Sequence, residues 1–121
     1  MDAFDVMMAV LRFNERINAR DLEGLVRMMT PDHFFIDSEG ERDDDMEKGW
    51  RGFFASFPDY RNVFTRVQVE GDLVAIAGHS TCSYEPLDGP ALWSARLRDG
   101  LVSEWRVYKD TPENRRSLGL E

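Results

Sequence analysis

Asp37, His79 and the neighbours Arg106 and Tyr108 carry the groups with which this chain could do acid–base chemistry. A carboxylate becomes a useful general base near neutral pH when an apolar lining raises its pKa, and Phe13, Phe34, Phe53 and Phe54 are rings that could line it. The other reading of Asp37 is a carboxylate at a strand end, solvated or paired with an arginine. His79 shares a strand face with Ala75, Ala77 and Thr81. Its imidazole acts as acid or base, orients Asp37, or is simply a hydrogen-bonded sheet residue. Arg106 offers a fork and Tyr108 a hydroxyl to a ligand carboxylate or phenolate. Alternatively, Arg106 forms an internal ion pair with Glu104 or Asp37.

Other chemistries lack their residue patterns. Two scattered histidines, His33 at an expected solvent-exposed strand entry and His79, do not make a zinc site. The acidic run Glu39 to Glu47 lacks the calcium-loop pattern, which needs a glycine at position six and a closing glutamate, and reads as a solvated loop plus a helix cap. The lone Cys82 is expected to be a buried structural thiol. No glycine-rich phosphate loop is present in the sequence. No metal and no cofactor are therefore expected.

The elements that must position these groups fit in one domain, 1–121. A chain of this size buries roughly two-thirds of its unfolded surface, so a core needs no staple. Charged residues make up 31%, with 15 basic against 23 acidic and a formal charge of −8, which disfavours nucleic acid and anionic membranes as partners. Asp2 and Asp5 replace the basic start of a signal peptide, so a cytoplasmic protein is expected.

The periodicity predicts a helix over 3–18, with Phe4, Met7, Met8, Leu11 and Ile17 as its apolar stripe. A second runs from Leu22 to Met29, capped by Asp21 and ended by Pro31. A short strand follows over 33–37, then a third helix over 46–57 carrying Trp50, Phe53, Phe54 and Phe57. Strands are predicted over 62–70, 73–84, 91–98 and 101–110, with turns at Gly71-Asp72 and Asp99-Gly100, and a last helical turn over 112–118. This is an α+β layout. A two-residue Asp99-Gly100 turn sets Arg98 opposite Leu101 and Trp93 opposite Arg106. Trp93 and Ala95 then share a face with Glu104, Arg106 and Tyr108. If that face is concave, these polar groups point inward; if it is convex, they serve an interface or solvent, and Trp105 and Val107 line the cavity.

The stretches Asn18 to Val26, Asp32 to Asp37, Trp50 to Asp59 and Glu104 to Asp110 resemble the nuclear transport factor 2-like superfamily, nearest to its SnoaL-like polyketide cyclase and ketosteroid isomerase branches. The resemblance implies a cone-shaped, curved antiparallel sheet wrapped around N-terminal helices (a cystatin-like roll), an apolar pocket, and a homodimer through the outer sheet face. It places Asp37 at the isomerases' base. Their oxyanion donors fall on Phe13, Phe54 and Trp93, and the cyclases' acid falls on Lys109, one residue before Asp110. The isomerase register favours the inward option for Glu104, Arg106 and Tyr108.

The expectation is therefore a pocket for a small apolar or carbonyl-bearing molecule. Asp37, His79 and Tyr108 would be catalytic, and Phe13, Phe53, Phe54, Trp93 and Arg106 would bind the ligand. The competing expectation is a non-catalytic dimeric binding or assembly module with a vestigial pocket.

Overall fold

The computed structural model describes residues 2–121. Helix α1 (Ala3–Asn18) starts where the Asp2 carboxylate accepts the Asp5 amide hydrogen bond, at 2.8 Å. Its buried face is Val6, Ala9, Val10, Phe13, Asn14 and Ile17, not the stripe through Phe4 and Met8. Phe4 is 63% exposed. The helix is apolar around much of its circumference, so periodicity admits two stripes, and the one through Val6, Val10, Phe13 and Ile17 meets the sheet. Helix α2 (Leu22–Arg27) is capped by Asp21 and stops two residues before the sequence expectation, because Met28 turns the chain into β1 (Met29–Ile36). A two-residue strand β2 (Arg42–Asp43) pairs back on it. Asp45 caps α3 (Met46–Ser56) through the Lys48 amide.

Strands β3 (Arg61–Glu70), β4 (Leu73–Thr81), β5 (Gly89–Arg98) and β6 (Leu101–Lys109) follow, with a single helical turn at Glu85–Leu87 before β5. Helix α4 (Pro112–Leu118) closes the order. The sheet runs β2-β1-β6-β5-β4-β3, is curved and does not close. It is mixed where the resemblance implied antiparallel: β1 lies parallel to β6. Helix α1 packs into the concave face, and the core there includes Phe13, Ile17, Ile76, Trp93 and Trp105. On the convex face Leu120, just beyond α4, packs with Ala75, Ala77 and Leu92.

Two pairing irregularities decide which side chains look inward. Asp99 and Gly100 both adopt positive φ, and Arg98 opposes Leu101 as expected. Beyond that point Ser103 is extra: Leu97 pairs with Val102, but Arg96 pairs with Glu104. The Ser103 hydroxyl donates to the Arg96 carbonyl at 3.1 Å within this bulge. Trp93 consequently faces Val107 across the pair, not Arg106. A second shift leaves Thr65 unpaired between Phe64 and Arg66. There the strands approach so closely that a Cβ on Gly78 would lie 2.0 Å from the Val63 carbonyl oxygen.

His33 is buried at 4% exposure, contrary to the expectation of a solvent-facing strand entry. The β1–β6 ladder skips from Met29–Val102 to Phe34–Glu104, and His33 fills the gap: its Nδ1–H donates to the Val102 carbonyl at 2.6 Å. The ring packs 6.0 Å from Phe13. Burial holds the imidazole pKa below its ordinary value, while the Val102 contact opposes that shift.

Two stability changes follow from these packings. Between pH 6.5 and the depressed value the unfolded chain binds a proton that folded His33 refuses, so stability falls as pH drops through this window. Denaturant midpoints should show a slope of up to about 1.4 kcal/mol per pH unit in the wild type and a flatter profile for His33→Gln. Gly78→Ala forces β3 and β4 apart and is expected to cost roughly 2–3 kcal/mol in equilibrium unfolding.

Candidate functional site

The concave face encloses a cavity of about 360 Å³ between α3 and the sheet. Phe35, Trp50, Phe53 and Trp105 supply much of its wall. The rings interlock: Trp50 meets Phe35 edge-on at 5.8 Å and Phe53 at 5.7 Å. This follows from the helix period, since Trp50, Phe53, Phe54 and Phe57 fall three or four apart. Only some of them reach the cavity, because Phe54 packs behind Trp50 at 5.5 Å.

Asp37, Ser38 and Asp43 stand at the mouth. Asp37 Oδ1 accepts hydrogen bonds from the amides of Glu39, at 2.9 Å, and Glu41, at 3.0 Å. The carboxylate thus shapes the turn between β1 and β2. Its Oδ2 has no hydrogen-bond partner among the described residues, and Asp37 is one of the residues that line the apolar hollow.

The inner end of the cavity is polar, and this part was not anticipated from the sequence. Tyr60 and Asn62 both line it. Asn62 Nδ2 donates to Asn14 Oδ1 at 3.2 Å, Ser80 Oγ donates to Asn62 Oδ1 at 3.0 Å, and Tyr60 OH lies 3.0 Å from Ser80 Oγ. All four residues are at most 9% exposed. Asn18 secures the start of β3: its side-chain amide donates to the Asn62 carbonyl at 2.9 Å and accepts from the Asn62 amide at 2.8 Å, as a neighbouring strand would. Arg20 bonds the Tyr60 carbonyl from the same loop. Burial pushes the Tyr60 phenol pKa up. One sequence signal existed: Asn14 sits at helical spacing within a run that is otherwise apolar or exposed, and a buried asparagine demands a partner.

The expected catalytic trio does not converge. His79 is exposed, on the face opposite Val74 and Ile76, because those two point inward and the pleat alternates. Tyr108 is turned outward by the Ser103 bulge, where its hydroxyl meets Ser94 Oγ at 2.9 Å. Arg106 is on the same outer face, its guanidinium 4.8 Å from the Tyr108 ring centre, and it has no carboxylate partner among the described residues. The inward option for Glu104, Arg106 and Tyr108 is thus corrected to the outward one. Of the expected ligand-binding residues, Phe53 and Trp93 line the cavity, and Phe13 lies beneath it, fully buried 4.9 Å from Trp105. Cys82 is half-buried, its thiol donating to Asp59 at 3.5 Å. No group of three or more potential metal ligands occurs among the described residues. No helix among them is long and apolar enough to cross a membrane.

This fold and its aromatic hollow define a class, and comparison with known proteins gives the family. Residues 10–105 match the SnoaL-like domain, and the chain belongs to that family. Among solved structures, a candidate polyketide cyclase from Sinorhizobium meliloti superposes with a TM-score of 0.76 at 16% identity, over 88% of this chain and 99% of that one. A candidate SnoaL-like polyketide cyclase from a Jannaschia species gives 0.74 at 23%, over 98% and 94%. An uncharacterised cystatin-fold protein from Novosphingobium aromaticivorans gives 0.74 at 18%, over 86% and 97%. At these identities the likeness establishes the fold. No curated protein matches the chain.

The buried network is open to direct measurement. Asn62→Leu leaves Asn14 and Ser80 without their shared partner and is expected to lower unfolding free energy by roughly 2–3 kcal/mol, read from denaturant midpoints.

Proposed function

We propose that this chain binds a compact, largely apolar, carbonyl-bearing small molecule in the concave cavity, with Asp37 as its acid–base group. The observation that carries the reading is that Asp37, one of whose carboxylate oxygens has no hydrogen-bond partner among the described residues, is among the residues lining a ring-walled hollow. In the reaction this supports, Oδ2 removes a proton from the carbon next to a ligand carbonyl, and the electron pair moves to the carbonyl oxygen as an enolate. Returning the proton to another carbon completes an isomerisation. Attack of the enolate carbon on a second carbonyl, with the proton passed to the new alkoxide, completes a cyclisation. The turn amides on Oδ1 hold the carboxylate in one orientation for either outcome.

A second reading, binding without turnover, is favoured by one observation. The polar groups expected to meet the ligand, Tyr108 and Arg106, lie on the opposite face of the sheet. Self-association through that outer face belongs to the proposal as well, beside the area that Leu120 already covers.

A thermal-shift screen with small cyclic ketones and steroids tests for the ligand site, since a bound compound raises the melting temperature by mass action. Failure of every compound to stabilise the protein would remove the binding reading. Exchange of the ketone's α-hydrogens with deuterated water then separates catalysis from binding. The wild type should accelerate it and Asp37→Asn should lose at least about 100-fold, whereas no acceleration by the wild type leaves binding alone. Because asparagine keeps the Oδ1 acceptor, Asp37→Asn should change stability by less than about 0.5 kcal/mol, while Asp37→Ala should cost about 1 kcal/mol through the freed turn amides.

A further inference from the structure

The buried seam at the inner end of the cavity has a direction, and that direction constrains the ligand. Ser80 has one hydroxyl proton, and it is directed at Asn62 Oδ1, 3.0 Å away. Asn62 Oδ1 is the acceptor there because the amide nitrogen of the same side chain donates to Asn14 Oδ1. With its proton committed, Ser80 Oγ can only accept from Tyr60, at 3.0 Å. Tyr60 must therefore donate to Ser80, and its phenol oxygen is left with lone pairs alone.

Tyr60 is also held in place from three sides. Arg20 bonds its carbonyl, Asn18 pins Asn62 two residues on, and Phe53 packs edge-on against its ring at 4.8 Å. Tyr60, a residue 8% exposed, is among those lining a mostly apolar wall, and a phenol fixed in this way discriminates between ligand groups by hydrogen-bond sense. We infer that Tyr60 is the specificity-determining residue of the cavity, acting as a hydrogen-bond acceptor, and that the ligand presents it a hydroxyl or N–H donor. This deepens the proposed function and rests on the cavity being the ligand site. It narrows the ligand to one that carries a donor in addition to its apolar body. It also assigns Ser80, Asn62 and Asn14 as positioning residues, which fix the sense of the phenol from behind.

The test compares naphthol with its methyl ether, two aromatic probes of similar shape of which only the first has a proton to give. Calorimetric Kd values for the wild type should favour naphthol by about 3- to 10-fold, the worth of one neutral hydrogen bond. Tyr60→Phe should erase that preference while still binding the ether. Asp37→Ala, which removes the carboxylate proposed as the ligand's acid–base group, should keep it. Equal binding of the two probes, tighter binding of the ether, survival of the preference in Tyr60→Phe, or its loss in Asp37→Ala would each overturn the assignment and leave the cavity reading standing. If neither probe binds the wild type, the cavity reading fails and the assignment falls with it. Should Tyr60→Phe not fold, the wild type and Asp37→Ala still separate Tyr60 from Asp37 without it.

Discussion

The extra residue at Ser103 is the constraint on which the rest of this structure depends. A strand alternates its side chains between two faces, so adding one residue to one partner of a pair exchanges the faces of everything beyond it. In this chain that exchange turns Trp105 and Val107 toward the helices, alongside Trp93 and Ala95, and sends Glu104, Arg106 and Tyr108 to the outside. Without the bulge, an arginine guanidinium and a glutamate would face Phe13 and Phe64 across the core. Burying those charges would cost far more than the one irregular pairing that avoids it. The aromatic wall and the outward polar set are two results of the same local event.

Curvature is the second requirement, and it comes from the other side of the sheet. The shift at Thr65 and the close approach at Gly78 bend β3 and β4, while β1 reaches the sheet only as a parallel neighbour of β6. Where that parallel ladder is interrupted, the His33 side chain supplies the hydrogen bond that the backbone does not. The hollow lies inside this bend. Helix α1 fills one part of the concave face, and α3 roofs the remainder with rings that leave about 360 Å³ unfilled.

Polar groups occur on the cavity wall at two places, and each is tied to the backbone that shapes it. At the mouth, one oxygen of Asp37 organises the turn to β2 and the other has no hydrogen-bond partner among the described residues. At the inner end, Asn18 acts as a partner strand for the first residues of β3, and the side chains it positions pass hydrogen bonds from Tyr60 through Ser80 and Asn62 to Asn14. A buried chain of this kind is stable only when its members are paired, which couples its integrity to the register of α1 on the sheet. The same pairing that stabilises the seam gives the phenol a defined hydrogen-bond sense.

Much of this architecture was legible in the residues because the signals are local. Asp21 and Asp45 cap helices through amides three residues away, the rings of α3 recur at helical spacing, and Asp99-Gly100 tolerates the positive φ of a tight turn. The resemblance carried by Asp32 to Asp37 pointed to the acid that borders the cavity. The face of α1, the burial of His33, the parallel β1–β6 pair, the outward turn of Tyr108 and the seam through Asn62 were not legible. Each depends on a contact made across the fold: Asn14 meets Asn62, His33 meets Val102, and Ser103 bulges against Arg96. By itself the sequence determined the elements and their turns, since these follow from forces acting within a few residues. Tertiary structure decided which face of each element looks inward, because a shift of one residue in pairing changes nothing locally and reverses every side chain beyond it.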